Sequence, residues 1–286
     1  MGGICVSFII AFNYVPLAGW IIAFFDYKPG MNFSQMTWNE FKSFKFLFSS
    51  AGVFQPLKNT LIFSFIGLGL AWLTPAVAIL LSEMNSKRTK TLVQTIITFP
   101  NFISWVLVYS LAFALFSQTE GIVNLFLMRN GLINKPLNPM GNADIVYTFQ
   151  TTLNLWKNVG FGCIIYLAAL TGIDPELFDA ADVDGAGRFQ KMIHIKLPGI
   201  LPTFFILLIL GIGQLLNNGF EQYFIFRNGI VQDKIMVLDL YVYLQGIYMN
   251  NYSIATATSI IKTLVSILLL TSANLISKKV RGVSIL

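Results

Sequence analysis

Six long apolar stretches, separated by polar segments, set the pattern of the chain. The first runs from about residue 2 to 25 and contains no charged residue. The others follow at about 57–81, 92–116, 145–170, 200–216 and 254–276. A helix needs about 20 apolar residues to cross the hydrocarbon core of a bilayer. The pattern therefore predicts an all-α membrane protein with six transmembrane helices in a single domain over 1–286.

Proline interrupts several of the predicted spans, beginning with Pro16 in the first. Pro75 lies in the second, and Pro100 lies beside Asn101 in the third. Because proline removes one backbone hydrogen bond, we expect a kink in the second span near Pro75. The third span is expected to run through its proline as one helix over 92–116.

Composition supports the membrane class. Hydrophobic residues make up 55% of the 286 residues, charged residues make up 11%, and the mean hydropathy is +0.69. A soluble domain is less apolar than this. Cys5 and Cys163 both lie in apolar stretches and predict no disulfide framework. A single histidine, His194, excludes a multi-histidine metal site.

Basic residues indicate which side of the membrane each loop faces. The turn after the second span, the loop at 173–199 and the C-terminal tail together hold nine of the nineteen Lys and Arg residues in about 45 positions. The three loops on the opposite side are sparser in Lys and Arg. The positive-inside rule makes the first set cytoplasmic, which places both termini in the cytoplasm. Because the net charge of +6 sits in these short clusters, we expect no nucleic-acid partner.

The loop at 173–199, which we call the elbow, is the most charged of these segments. Asp174-Pro175-Glu176 is typical of a helix start, because acidic residues and a proline suit the first turn of a helix. Ala180-Ala181 allows another backbone to approach closely. Gly185 permits a turn that a residue with a side chain resists. The elbow therefore predicts two short helices at an angle, with Pro198 marking the start of the fifth span.

The elbow also carries residues at a fixed spacing. Asp179-Ala180-Ala181 is followed after three residues by Gly185, and after nine more by Ile195, Leu197 and Pro198. This spacing resembles the cytoplasmic signature of the membrane subunits of bacterial ABC importers, in which a Glu stands where this chain has Asp179. The resemblance implies the type I ABC importer permease fold, with the elbow as its cytoplasmic coupling helix.

Further segments carry a finer resemblance. Tyr14-Val15-Pro16, the run 217–222 and Val237-Leu238-Asp239 resemble the oligosaccharide and polysaccharide branch of these permeases. The resemblance thus covers nearly the whole chain and implies an oligosaccharide cargo. The N-terminal basic segment of the branch is missing, and the first span lacks the positive region and cleavage site of a signal peptide. We therefore expect the natural chain to begin further upstream.

The resemblance implies that other chains supply the energy. The sequence has no Gly-x-x-x-x-Gly-Lys-Ser/Thr phosphate cradle, so we expect neither an enzyme nor a cofactor site here. ATP and Mg²⁺ are expected on two separate ATPase subunits, and a second homologous permease subunit and an extracellular solute-binding protein complete the assembly in the bacterial inner membrane. The expected ATPase-coupling residues are Asp179, Ala180, Ala181, Asp184, Gly185, Arg188, Ile195, Leu197 and Pro198.

A sugar pathway requires polar groups and aromatic faces that line protein or water rather than lipid. The candidates in the sequence are Trp105, Tyr109, Asn154, Trp156, Asn158, Gln214, Asn217, Asn218 and Glu221. Each also fits an interhelical hydrogen bond or an interfacial aromatic position, and the group at 217–221 fits a helix cap at the outer surface.

Two lysines and two glycine pairs lie inside the predicted spans. Lys157 and Lys262 are expected to extend to the headgroups at the external ends of their spans, with a cavity-facing role as the alternative. The pairs Gly160 with Gly162 and Gly211 with Gly213 predict close helix packing.

Three alternatives to an oligosaccharide importer stay open. The cargo could be a monosaccharide or glycerol phosphate within the same class. An ion-coupled secondary transporter is a second alternative, although that class tends to have acidic residues at mid-membrane, and no acidic residue lies deep in any predicted span. A membrane subunit without a conduction path is the third.

Overall fold

The computed structural model describes residues 2–49 and 51–281. Met1 and residues 282–286 lie outside the described residues. The predicted cytoplasmic location of the two termini falls in part on these residues. Within the described part of the chain the α-helices are, in chain order, α1 (Gly2–Ile9), α2 (Lys42–Ser49), α3 (Ala51–Gly69), α4 (Leu73–Ser82), α5 (Lys87–Thr98), α6 (Trp105–Phe116), α7 (Ile122–Arg129), α8 (Val146–Thr171), α9 (Pro175–Val183), α10 (Arg188–Lys191), α11 (Leu197–Gly213), α12 (Glu221–Phe226), α13 (Gln232–Ile235), α14 (Leu238–Tyr243) and α15 (Tyr252–Arg281).

Over residues 2–49 and 51–281, five helical segments are long and apolar enough to cross a membrane. They are Cys5–Phe24, Gly52–Ser82, Val146–Thr171, Arg188–Gly213 and Tyr252–Lys279. A bent pair, Lys87–Phe102 followed by Trp105–Phe116, makes a sixth span if it is counted as one. The predicted all-α membrane fold with six spans is confirmed, and its third span is broken.

The first span changes helix type along its length. After α1 it becomes a π-helix over Ile10–Tyr14 and then a 3-10 helix over Val15–Phe24, which begins with Pro16 in its first turn. The span leads into strand β1 (Phe25–Asp26), which pairs antiparallel with β2 (Thr37–Trp38).

The second span is interrupted where its proline predicts. Helix α3 ends at Gly69, and α4 begins at Leu73, with Pro75 in its first turn. Because Pro75 has no N–H group, it cannot bond to the carbonyl four residues earlier, at Ala71. The interruption of the helix lies a few residues before the proline.

The third span is not the single helix that we predict over 92–116. Helix α5 begins at Lys87, with the Ser86 hydroxyl accepting the Thr89 N–H at 3.4 Å, so the basic turn before it is shorter than the sequence suggests. The helix tightens to 3-10 form over Phe99–Phe102, and the chain then bends by 104° before α6 begins.

Helix α8 packs against the second, third and fifth spans, and it begins and ends within one residue of its predicted bounds. Helix α4 packs along α8, and the buried side chains at this contact include Ala78, Cys163, Tyr166 and Ile200. The fifth span differs from its predicted bounds of 200–216. It extends from Arg188 to Gly213, so the second half of the elbow belongs to the same helical segment.

The polar stretch between the fifth and sixth spans is folded rather than extended. It forms α12, α13 and α14 and a π-helical turn over Leu244–Tyr248. Some of its apolar side chains are almost fully buried and form a core with α3, α6 and α8, through residues that include Phe226, Val231, Ile235, Val237 and Leu240. The chain thus closes one end of the bundle with a packed helical cap.

Candidate functional site

The first arm of the elbow is α9. The Asp174 carboxylate accepts the Glu176 N–H at 3.0 Å, and Pro175 occupies the first turn, so the predicted helix start is present. The arm ends at Gly185, whose φ of +75° lies in the left-handed region. The Ala186 N–H then donates to the Ala181 carbonyl at 2.8 Å, which closes the helix in the Schellman pattern. Gly185 therefore makes the turn that the sequence predicts.

The second arm runs directly into the fifth span. After α10, a π-helix over Met192–Lys196 leads into α11, in which Pro198 lies in the first turn. The Leu197 N–H bonds to the Met192 carbonyl, so the helix continues past Pro198. Pro198 therefore does not separate the elbow from the span, contrary to our prediction of a loop that extends to residue 199.

The inner side of the elbow is attached to the turn after the second span. The Arg188 guanidinium donates to the Asn85 side chain at 3.1 Å. The Lys196 ammonium donates to the Ser82 hydroxyl at 2.9 Å and forms an ion pair with Glu83. A third cation, Lys191, pairs with Asp182 and ties the two arms together. These contacts fix the angle of the elbow relative to the bundle.

The outer side of the elbow is exposed and partly apolar. Val183 is 88% exposed, Phe189 is 69% exposed and Leu177 is 53% exposed. Of the predicted coupling residues, Ala181 and Ile195 are half-buried, and the exposed ones are Asp179, Ala180, Asp184, Gly185, Arg188, Leu197 and Pro198. Apolar side chains presented beside carboxylates are typical of a surface that another protein covers.

A polar cavity of about 270 Å³ lies between the second, fourth and fifth spans. Four of the predicted pathway residues line it: Asn154, Gln214, Asn217 and Asn218. Four further polar lining residues were not predicted from the sequence: Ser64, Gln150, Thr151 and Tyr223. The lining is therefore rich in side-chain amides and hydroxyls, which suits a ligand that both donates and accepts hydrogen bonds.

Amide side chains connect the cavity wall to its surroundings. The Gln222 amide donates to the Gln150 side chain and carbonyl, both at 2.8 Å, and accepts from Asn154 at 3.3 Å. Asn158 continues the row by donating to the Asn154 carbonyl at 3.0 Å. Residues 150, 154 and 158 lie four apart and therefore on one face of α8, which is the signal that could have identified Gln150.

The other predicted pathway residues lie outside the cavity lining. Tyr109 packs edge-on against Phe226 at 5.2 Å between ring centroids. Trp105 also packs against this aromatic core, whereas Trp156 is 41% exposed on α8. Glu221 is exposed at the start of α12.

Lys157 does not extend to the headgroups, contrary to the expectation. It is only 8% exposed, and its ammonium donates to the carbonyls of Pro100, Asn101 and Ile103 at 3.3, 2.6 and 2.5 Å. These carbonyls lie at the break in the third span, and of the three the Pro100 carbonyl also accepts the Ile103 N–H, at 3.2 Å. Since an ammonium has three donors, Lys157 satisfies the broken end of the helix.

Lys262 is also held inside the protein. Its ammonium forms an ion pair with Asp239, and both side chains are less than a fifth exposed. The Asp239 carboxylate accepts in addition the Gly219 N–H at 2.8 Å. The pair connects the sixth span to the helical cap, so the expectation that Lys262 extends to the headgroups is wrong.

Close packing at the predicted glycines is clearest for Gly160. A Cβ atom added there would overlap the Ile97 carbonyl, so only glycine allows α5 to approach α8 this closely. A Cβ at Gly162 would lie 2.9 Å from the Thr74 methyl group. Among the described residues no group of three His, Cys, Asp or Glu side chains could hold a metal ion.

Comparisons with known proteins agree with this architecture. The family described as binding-protein-dependent transport system inner membrane component matches residues 76–282. Protein LplB of Bacillus subtilis (strain 168) is 38% identical over 273 residues, which is 95% of this chain and 85% of LplB. The polygalacturonan/rhamnogalacturonan transport system permease protein YteP of the same organism is 37% identical over 276 residues, which is 96% of this chain and 85% of YteP.

A solved structure has the same fold over almost the whole length. It is a crystal structure of a bacterial alginate ABC transporter in complex with an alginate pentasaccharide-bound periplasmic protein. One of its chains superimposes with a TM-score of 0.85 at 31% identity, covering 98% of this chain and 93% of that one. The chain belongs to the family of binding-protein-dependent transport system inner membrane components.

Proposed function

We propose that this chain forms, with a second homologous permease subunit, the pathway through which an ATP-driven importer takes up an oligosaccharide. An extracellular solute-binding protein delivers the sugar. Two separate ATPase subunits hold ATP and Mg²⁺ and supply the energy, and this chain performs no covalent chemistry. The elbow and both termini face the cytoplasm.

The polar cavity is the observation that carries this proposal. Its amide and hydroxyl lining can exchange hydrogen bonds with sugar hydroxyl groups. At about 270 Å³ it falls just below the usual range of ligand pockets, which begins at about 300 Å³. One chain therefore supplies only part of a binding path for a longer sugar, and a second permease subunit would supply the facing wall.

The relatives support the cargo class. YteP is named for polygalacturonan and rhamnogalacturonan, and the superimposed transporter was crystallised with an alginate pentasaccharide on its periplasmic protein. Both names refer to sugar polymers or oligomers. The same complex supports a solute-binding protein as a partner of this chain.

The exposed side of the elbow supports the coupling role. Val183, Phe189 and Leu177 present apolar surface to a partner, beside the carboxylates of Asp179 and Asp184. In the proposed cycle, closure of the ATPase subunits displaces the elbow, and the permease pair changes from inward- to outward-facing. ATP shifts this equilibrium only through its differential affinity for the two states.

Uptake into proteoliposomes tests the proposal. The purified assembly would be reconstituted with its binding protein on the external side and with ATP on the elbow side. The probes are labelled oligogalacturonides of several lengths, with galacturonic acid and glycerol phosphate as controls. We expect ATP-dependent accumulation of an oligosaccharide and no accumulation with a non-hydrolysable ATP analogue.

Each alternative has its own result in this assay. Preference for the monosaccharide or for glycerol phosphate would contradict the oligosaccharide assignment but keep the importer. Accumulation driven by an ion gradient without ATP would identify a secondary transporter. A purely structural subunit would be favoured if no uptake occurred and if the ATPase rate were the same with and without the sugar-loaded binding protein.

A further inference from the structure

A second cavity, which we call the basic pocket, lies between the elbow and the ends of the second and fourth spans. Its volume is about 360 Å³. Four cationic side chains line it: Lys90 from α5, Arg188 from α10, Lys191 at the end of α10, and Lys196 from the π-helix that follows. The pocket takes no part in the sugar pathway, since its lining residues are distinct from those of the polar cavity.

The positive charge of the basic pocket is only partly neutralised. Lys196 pairs with Glu83, and Lys191 pairs with Asp182. Arg188 donates to a neutral amide, that of Asn85, and the described residues give Lys90 no ion pair. Two of the four cations thus lack a carboxylate partner, and the pocket carries an excess of about two positive charges that an anion could balance.

The ion-paired lysines are largely buried and are held in place by their partners. The side chains of Lys191 and Lys196 are 18% and 15% exposed. Each points toward a fixed partner on a neighbouring element, so the positive groups converge on the same space. The two paired lysines therefore place fixed positive charge around the pocket, while Lys90 and Arg188 supply the donors that no carboxylate occupies.

The remaining lining of the pocket consists of Glu83, which pairs with Lys196, and of apolar and hydroxyl-bearing side chains. Leu167, Leu170 and Phe178 form its apolar part, and Ser82 and Thr171 add hydroxyl groups. Ser82 ends α4 and Thr171 ends α8, so the pocket lies where two membrane spans finish. A site at this depth meets the headgroup region of the bilayer.

We propose that the basic pocket binds the phosphodiester of an anionic phospholipid. Basic pockets between transmembrane helices at a membrane surface are suited to acidic lipid headgroups. The phosphate oxygens accept from Lys90 and Arg188, and the glycerol and the start of the acyl chains contact the leucine side chains. A free phosphate ion would use the cations but would gain nothing from the apolar wall. The proposal depends neither on the sugar nor on the orientation of the chain.

Lipid titration of the purified, fully assembled transporter in detergent tests the proposal. Native mass spectrometry would count bound short-chain phosphatidylglycerol, with short-chain phosphatidylcholine and inorganic phosphate as the comparison probes. We expect phosphatidylglycerol to bind more tightly than phosphatidylcholine. Millimolar inorganic phosphate should fail to displace it.

A matched pair of variants locates the site. Lys90→Gln removes a pocket cation and should weaken phosphatidylglycerol binding about fivefold, the effect of one basic residue at a lipid surface. Lys87→Gln removes an exposed cation from the same turn of α5, outside the pocket lining, and should leave binding unchanged. Lys90→Arg keeps the charge and should bind like the original chain.

Several results would overturn the proposal. Equal binding of phosphatidylglycerol and phosphatidylcholine would show that the negative charge of the headgroup plays no part in binding. Equal weakening by Lys87→Gln and Lys90→Gln would indicate diffuse surface attraction instead of a pocket. Displacement by inorganic phosphate would identify a free-anion site. The lipid comparison on the unmodified assembly decides the matter even if Lys90→Gln does not assemble.

Discussion

Two regions of α8 and its continuation use polar groups in opposite ways. Around Lys157, deep in the bundle, the ammonium and the carbonyls at the break in the third span satisfy one another. Beyond Thr171, the elbow points apolar and acidic side chains outward, where the described residues offer few partners. Substitutions around Lys157 should therefore destabilise the fold. Substitutions in the elbow should impair coupling and leave the fold in place.

The largest effect is expected for Lys157→Met. Methionine has a similar length but no donor, so the carbonyls of Asn101 and Ile103 would lose the ammonium, whereas the Pro100 carbonyl would keep the Ile103 N–H. An unsatisfied buried polar group costs about 1–3 kcal/mol, so the loss of stability should reach several kcal/mol. The folded yield after detergent extraction and the thermal unfolding temperature would measure it.

Lys58→Met is the matched control for that substitution. Lys58 lies in the second span, but its side chain is exposed, so its loss leaves no buried carbonyl unpaired. We expect normal yield and uptake. A Lys157→Met protein as stable as the Lys58→Met protein would contradict the role assigned to the ammonium.

The second-largest loss of folding stability is expected for Gly160→Ala. The new methyl group would overlap the Ile97 carbonyl, a backbone atom that cannot move without shifting α5 away from α8. Overpacking of this kind costs about 1–3 kcal/mol. Gly67→Ala in α3 is the control, since nothing lies within 4 Å of its Cβ position. Thermal unfolding of both proteins should show a loss only for Gly160→Ala, and similar curves would disprove the close contact.

Gly185→Val is expected to have the smallest effect on the fold. Its effect on transport is expected to be large. A β-branched residue resists the φ of +75°, at a cost of about 1–3 kcal/mol confined to the turn, while its side chain meets open space. We expect the chain to insert and assemble, ATP hydrolysis to continue, and sugar uptake to be abolished.

Gly187→Ala provides the comparison for the turn. Gly187 has an ordinary φ of −71° and room for a methyl group, so its uptake should be unchanged. The ratio of sugar accumulated to ATP hydrolysed separates coupling from folding in both variants. Full uptake by the Gly185→Val protein would contradict the proposal that the elbow couples ATP hydrolysis to transport.

The sequence predicted the spans well because their signal is local. The length of an apolar run is sufficient to place α8 within one residue, and Asp174 and Gly185 mark the bounds of the first elbow arm through backbone chemistry alone. The break in the third span was missed because its cause is distant. Pro100 only weakens the helix, and the bend also requires Lys157, more than fifty residues later, to satisfy the freed carbonyls.

The cavity was predictable in part for a related reason. Asn217 and Asn218 follow an apolar span and attract notice, whereas Ser64 is a single polar residue within a span and Gln150 lies near the start of another. Their role depends on which helix faces are brought together, which the sequence of one helix does not specify. Lys262 was misinterpreted similarly, since its partner Asp239 belongs to the helical cap rather than to a neighbouring turn.

The uninterrupted passage from the elbow into the fifth span has a mechanical consequence. The 26 residues of Arg188–Gly213 form one continuous helical segment of about 39 Å, although it includes a π-helical turn over Met192–Lys196 and Pro202 inside α11. Its far end, at Gly211 and just beyond it Gln214, is part of the cavity wall. If the proposed coupling role is right, a tilt of the elbow would be transmitted along this segment and would shift the wall of the polar cavity.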